Sequence, residues 1–182
     1  MNVVLRTIEE ADLELVMNWR MRPDITKYMN TDPILTLESQ KNWLENIAKD
    51  PTCMYWLIQV EGIPGGVINI CNINREKKSC EWGYYIGETK LRSLKLAMNL
   101  EWSLYAFVFE KLKFDALYNE VLDINKGVVK LHLACGSRIV QLLKNHVTKN
   151  EGQYNVIRMG ITHEEWETKR KSLNYENINF NI

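Results

Sequence analysis

The sequence predicts an α/β domain of the α+β kind, with a mixed, mostly antiparallel central sheet of about seven strands flanked by helices. Three observations carry this. Seven short apolar or alternating runs, closed by turn residues, read as strands. Three of them, at 54–60, 66–73 and 80–87, follow one another through short turns as an antiparallel meander. The stretch from Leu91 to Gly136 then reads as helix, strand, helix, which brings helices onto the faces of the sheet. The 182 residues, 46% of them hydrophobic, suit one domain over 1–182 with enough apolar surface for a full core.

In order, Asn2 to Thr7 alternates as a first strand. Glu9 to Trp19 is expected to be helical, with Ala11, Leu13, Val16 and Met17 inward. Pro23 ends that helix because proline disfavours helical geometry in the residue before it. A short helical turn over Asp24 to Met29 follows. Thr36 is an expected N-cap for a helix to Lys49, with Trp43, Leu44, Ile47 and Ala48 on its apolar side. Met54 to Val60 is an apolar strand, Glu61 to Gly65 a turn, Gly66 to Ile73 its partner, and Cys80 to Gly87 the third strand. Gly83 marks a bulge or a close approach of another chain or ligand. A helix to about Leu112, a strand from Ala116 to Leu122 and a helix from Asn125 to Cys135 come next. The C-terminal part is expected to contain a strand at Ile139 to Leu143, a loop at Asn145 to Gly152, and a strand at Tyr154 to Ile161. A helix over His163 to Lys171 anchored by Trp166 and a polar tail from Asn174 complete it.

Lys and Arg together number 23, as do Asp and Glu. There is no overall basic field of the kind that holds a protein to nucleic acid, so any anion site must be local. The cysteines, Cys53, Cys71, Cys80 and Cys135, form no Cys-x-x-Cys pair and have no histidines at zinc spacing, so reduced thiols and no metal are expected. The early acidic residues Glu9, Glu10 and Asp12 do not fit a secretory leader. The longest apolar run, Leu94 to Phe109, is broken by Lys95, Asn99, Glu101 and Ser103 and reads as a buried helix, not a membrane span. The expectation is a cytoplasmic protein with no membrane and no nucleic-acid partner; a homodimer is left open.

The run Leu91-Arg92-Ser93-Leu94-Lys95-Leu96-Ala97 reads as a turn feeding a helix. Unpaired amides and the helix dipole hold anionic oxygens at such a start, which points to a phosphate-bearing ligand. Its Arg92 and closing Ala97, with Glu120-Val121 on the next strand, Asn125, Leu131-His132 and Gly136, resemble in order and spacing the cofactor half of the GNAT superfamily of N-acetyltransferases. This sequence departs at Lys95, where glycine is usual, at His132, usually tyrosine, and at Ser137, usually phenylalanine. Lys95 offers an ammonium to a phosphate in place of close backbone approach.

The resemblance implies a splayed pair of strands that admits the pantetheine arm of acetyl-CoA against the backbone of Tyr84 to Ile86. It implies cofactor contacts from Tyr84, Ile86, Leu91, Arg92, Ser93, Leu94, Lys95, Leu96, Ala97, Asn125 and Lys130. Glu120 becomes the expected base and His132 the expected acid, since imidazole donates protons near neutral pH. Tyr85 or Tyr84 is the alternative acid, and strand alternation is expected to bring only one of them to the cleft. Plain structural roles stand beside these: an N-cap for Asn125, a packed core residue for His132, a solvated lysine for Lys130.

Arg20 and Arg22, at a helix break, suit an acidic substrate group or simply the helix end. The N-terminal pattern and the C-terminal run Asn155 to Ile161 with Glu165-Trp166 resemble the branch of ribosomal-protein N-acetyltransferases and of enzymes that acetylate UDP-4-amino-4,6-dideoxy sugars in pseudaminic acid biosynthesis. That resemblance implies a UDP-amino sugar as acceptor, direct transfer in a ternary complex, and a substrate wall from Arg20, Arg22, Tyr28, Met29 and Trp56. Acetylation of protein or peptide N-termini, and a non-catalytic acyl-CoA-binding domain, are the alternatives.

Overall fold

Local signals decide where most elements begin and end. The computed structural model describes residues 2–149 and 152–180. Thr36 accepts the Ser39 amide at 3.1 Å, Ser93 that of Leu96 at 3.2 Å and Thr162 that of Glu165 at 3.3 Å. These caps open α3 (Leu37–Lys49), α4 (Leu94–Ala106) and α6 (His163–Lys169) by satisfying amides that have no intrahelical acceptor. Asn125 opens α5 (Lys126–Cys135), and Gly136 closes it at φ 117°, a conformation that favours glycine. The first helical stretch differs from expectation. A 3₁₀ turn, Glu10–Asp12, precedes α1 (Leu13–Met21), and Trp19 is buried while Ala11 is exposed. Asp12 is drawn inward by a two-pronged bond from Arg6, both contacts 2.8 Å. Pro23 starts α2 (Pro23–Thr26), where proline's missing N–H costs nothing.

The seven strands are β1 (Val3–Arg6), β2 (Met54–Val60), β3 (Ile63–Asn74), β4 (Ser79–Ile86), β5 (Ala116–Leu122), β6 (Arg138–Lys149) and β7 (Gly152–Thr162). They form one sheet in the order β1-β2-β3-β4-β5-β7-β6, antiparallel except for β4 beside β5. The meander is present, with β3 starting three residues earlier than expected. Gly66 lets β3 and β4 close up, since a Cβ there would meet the Tyr85 carbonyl at 2.1 Å. Gly83 forms no bulge: β3 and β4 stay in register from Gly66↔Ile86 to Cys71↔Glu81.

One face of the sheet packs on α4 and α5 through Ile58, Ile68, Trp82, Leu100, Leu104 and Phe109. The other packs on α1 and α2 through Leu13, Val16, Trp19, Ile25, Leu57 and Val67. The helix expected to reach Leu112 changes after Ala106 to wider π turns over Phe107–Lys111.

Two C-terminal expectations are corrected. The proposed loop at Asn145 to Gly152 is mostly strand, because β6 and β7 pair out to Lys149↔Gly152; positions 150 and 151 lie outside the described residues. The tail is polar in composition but not detached. Tyr175 packs against Trp102 at 5.6 Å, Phe180 against Trp56 and Phe107 at 4.8 and 4.5 Å, and the Ile178 amide bonds Ser103. Three apolar residues spaced among asparagines suffice to pin it. Deleting residues 175–182 should therefore lower unfolding free energy on the order of 3–6 kcal/mol, from the exposed apolar surface, as read by urea denaturation.

Candidate active site

β4 and β5 are hydrogen-bonded over only three residue pairs, Ser79↔Ala116, Cys80↔Leu117 and Glu81↔Tyr118. Beyond these the strands part, β4 keeping β3 and β5 keeping β7 as outer partners. A cavity of about 860 Å³ occupies the opening and reaches both faces of the sheet. Alternation on β4 sends Trp82, Tyr84 and Ile86 toward α4 and α5, and Gly83 and Tyr85 toward α1. Both tyrosines nonetheless line the cavity. The expectation that only one would reach it fails because a gap in a sheet is open on both sides.

On the α4 and α5 side the lining includes Ser93, Leu94, Ala97, Asn125, Leu131 and His132. Ser93 caps α4, leaving the Leu94 and Lys95 amides with no intrahelical acceptor. Other residues of the turn are placed differently from expectation. Arg92 lines the cavity, but its guanidinium is held by the Ile86 carbonyl at 3.0 Å and Asp24 at 2.7 Å. Lys95 is exposed and faces Glu176 at 3.4 Å. Leu96 is buried in the core, Leu91 packs against it, and Lys130 points outward from α5; none of these four lines the cavity. Lys95 and Lys130 belong to exposed helix positions, whereas helical periodicity turns Leu96 inward. Asn125 is the α5 N-cap, 3.4 Å from the Val128 amide, and lines the cavity as well.

His132 is buried, with its Nδ1 2.8 Å from Oε2 of Glu101 and its ring edge against Trp82 at 5.1 Å. Nε2 is the nitrogen left for the cavity. Glu101 also receives the hydroxyl of Tyr105, which lies 2.9 Å from Ser137 Oγ. Neither Glu101 nor Tyr105 was expected here. The available signal was a carboxylate in a helix apolar on nearly every side, a place where a charge needs partners. Nearby, Trp82 Nε1 and Asn119 Oδ1 are buried at the cavity and have no hydrogen-bond partner among the described residues.

The opposite half is lined by Arg20, Tyr28, Met29, Gln40, Trp43, Tyr55, Asn69 and Tyr85. Trp43 and Tyr55 meet edge to face at 5.3 Å. Burial pushes the Tyr55 hydroxyl up to about 12 and raises Tyr84 and Tyr85 further, so all three are held neutral. Arg20 donates to the carbonyl and hydroxyl of Thr31. Trp56, expected on this wall, is 3% exposed and packs on Phe107 across the sheet. Its neighbour Tyr55 takes the wall position because adjacent strand residues face opposite ways. Arg22 does not line the cavity; it grips Asp24 at 2.9 and 2.8 Å. Two carboxylates line the cavity, and both are occupied. Asp24 is tied by Arg22 and Arg92, which hold its carboxyl far below the usual range. Glu120 Oε1 is 2.9 Å from Arg158, whose other arm binds Glu81 at 2.7 Å.

This is the architecture of an acyl-group transferase opening between strands, and residues 2–138 match the family model described as Acetyltransferase (GNAT) domain. The chain belongs to the GNAT acetyltransferases and is an N-acetyltransferase. It is 30% identical over 125 residues to acetyltransferase PseH of Campylobacter jejuni subsp. jejuni strain 81-176, covering 69% of this chain and 76% of that one. To acetyltransferase PseH of strain NCTC 11168 it is 31% identical over 132 residues with the same coverage. Among solved structures, the spermidine N-acetyltransferase of Vibrio cholerae in complex with CoA and spermine superposes with a TM-score of 0.85 at 20% identity. That match covers 91% of this chain and 98% of the other and shares the fold. No helix among the described residues is long and apolar enough to cross a membrane.

Gly83 borders the half opposite α4, and a Cβ there meets only Asn69 Oδ1 at 3.6 Å. A side chain at Gly83, as in Gly83→Val, should therefore enter the half of the cavity away from α4. The expected outcome is a rise in acceptor KM of about tenfold or more with little change in KM for acetyl-CoA, since lost uniform binding appears in KM; steady-state kinetics would check it.

Proposed function

We propose that the protein transfers acetyl from acetyl-CoA to the amino group of a nucleotide-linked amino sugar of the UDP-4-amino-4,6-dideoxy type, within a ternary complex. One observation carries the choice of acceptor: Asp24 and Glu120, the carboxylates on the cavity wall, are already bound by arginines. A polyamine or a charged peptide N-terminus relies on unpaired carboxylates, whereas an anionic nucleotide sugar relies on cations and an apolar wall. Arg20 supplies a cation hydrogen-bonded to Thr31, with the charge of Asp32 also acting on it, and Tyr28, Trp43 and Tyr55 supply the wall. The identity to acetyltransferase PseH and the sequence resemblance to pseudaminic acid enzymes support the same reading.

The chain's groups fit acetyl-CoA, which supplies the activated acyl group when bound. The free amides at the start of α4 suit its phosphates. Trp82 Nε1 and Asn119 Oδ1 are a donor and an acceptor left unsatisfied, costing about 1–3 kcal/mol each, and they suit the amides of the pantetheine arm.

Glu120 and His132 flank the opening from opposite faces. Arg158 holds Oε1 of Glu120, and through its other oxygen Glu120 takes the acceptor's ammonium proton, directly or through water, while Arg158 remains paired to Glu81 when Glu120 becomes neutral. His132 gives a proton through Nε2 to the departing sulfur. Tyr84 and Tyr85, held neutral well above working pH, are weaker acids and serve to bind.

Purified protein with acetyl-CoA should release thiol with a UDP-4-amino-4,6-dideoxy sugar and not with spermidine or peptides; the reverse pattern overturns the acceptor assignment. A Glu120→Gln and His132→Phe double variant should lose at least about 10²-fold in kcat. Undiminished thiol release would remove both roles.

A further inference from the structure

Buried residues run without interruption from Asn99 to Ala106 in α4, and Glu101 among them is fully inaccessible. An isolated carboxylate in such a place is prohibitively unfavourable. Its oxygens accept the Tyr105 hydroxyl and face His132 Nδ1, with the Cys135 thiol as a further donor. Among the described residues its ion-pairing partner is His132.

We propose that Glu101 is a positioning residue for proton delivery: it fixes the His132 ring with Nδ1–H toward itself and Nε2 toward the cavity, and it stabilises the doubly protonated ring. The proposal rests on the reading of His132 as the acid. In the step, the acceptor nitrogen forms its bond to the acetyl carbon and the carbon–sulfur bond breaks with its electron pair on sulfur. Sulfur takes the Nε2 proton, and the ring is left neutral with Nδ1–H still on Glu101. The proton lost by the nitrogen passes to Glu120 or water, so charge and protons balance.

The other titratable groups around this pair are Tyr105 on α4, Tyr84 on β4, Cys135 on α5 and, beside Cys135, Lys169 on α6. Burial first, and the charge of Glu101 second, push the Tyr84, Tyr105 and Cys135 protons toward retention. They remain neutral donors. The exchange of charge is thereby confined to Glu101 and His132.

The test is the pH dependence of kcat with saturating acetyl-CoA and the best amine of the panel above. Glu101→Gln should lower kcat about 10²-fold while KM for acetyl-CoA changes by less than about threefold. Its alkaline limb should move to lower pH, because the protonated ring has lost its anionic partner. Glu101→Asp, which keeps the charge, should retain the wild-type limb. In wild-type protein, ¹⁵N spectra of the histidine rings, with His132 assigned by its absence in His132→Phe, should show the neutral ring protonated on Nδ1. This measurement decides the matter even where Glu101→Gln does not fold. A wild-type limb and rate in Glu101→Gln, or a neutral ring protonated on Nε2, overturns the proposal. If His132→Phe itself keeps the wild-type rate and profile, the acid assignment falls and this proposal with it. If only His132→Phe is slow, the role of Glu101 alone is overturned.

Discussion

The parting of β4 from β5 is the constraint on which the rest depends. A sheet interrupted in its interior leaves backbone and side-chain polar groups without partners, and buried unsatisfied groups are costly. The gap persists because neither strand needs the other: β4 is held in register with β3 from Gly66↔Ile86 to Cys71↔Glu81, and β5 by seven pairs with β7. Gly66 tightens the first of these pairings by allowing close approach to Tyr85. The orphaned atoms of Trp82 and Asn119 sit where the sheet has been left incomplete.

Because the opening passes through the sheet, its two sides carry different chemistry. One side has helix starts and a buried histidine. The other has aromatic rings, Arg20 and a carboxylate bridged through Arg158. In the ternary complex proposed above, two substrates would enter from opposite faces and meet at the gap without crossing each other, the geometry direct transfer requires. The segment between α1 and α3 covers the second side and is held by clasps from distant parts of the chain. Arg92 binds Asp24 at 2.7 Å, and Lys149 donates to the Thr26 carbonyl at 2.6 Å.

Charge placement follows a common pattern across the site: the charged side chains around the opening carry specific partners. Arg158 divides itself between Glu81 and Glu120, and Asp24 accepts from two arginines. Glu101 is the most deeply placed of these groups, and its partners are a histidine, a phenol and a thiol. That difference leaves its charge to be shared by a group able to gain and lose a proton.

Local chemistry in the sequence determined the element order, the caps at Thr36 and Asn125, the seven strands and the helix-strand-helix stretch from Leu91 to Gly136. Thr36, Asn125 and Gly136 act through neighbours a few residues away, so their roles were legible without a fold. What lay between distant residues was not. Trp56 and Tyr55 could not be told apart, because adjacent strand positions differ only in which face finds the core. Arg92 and Lys95 read as phosphate ligands until Asp24 and Glu176, far away in sequence, were brought beside them. Glu101 looked like a break in an apolar helix; its meaning came from His132, 31 residues on, packed against it. Sequence by itself determined the periodic and turn-forming features, whose energetics are local, while the tertiary structure decided which charges pair, because pairing depends on distances that only packing sets.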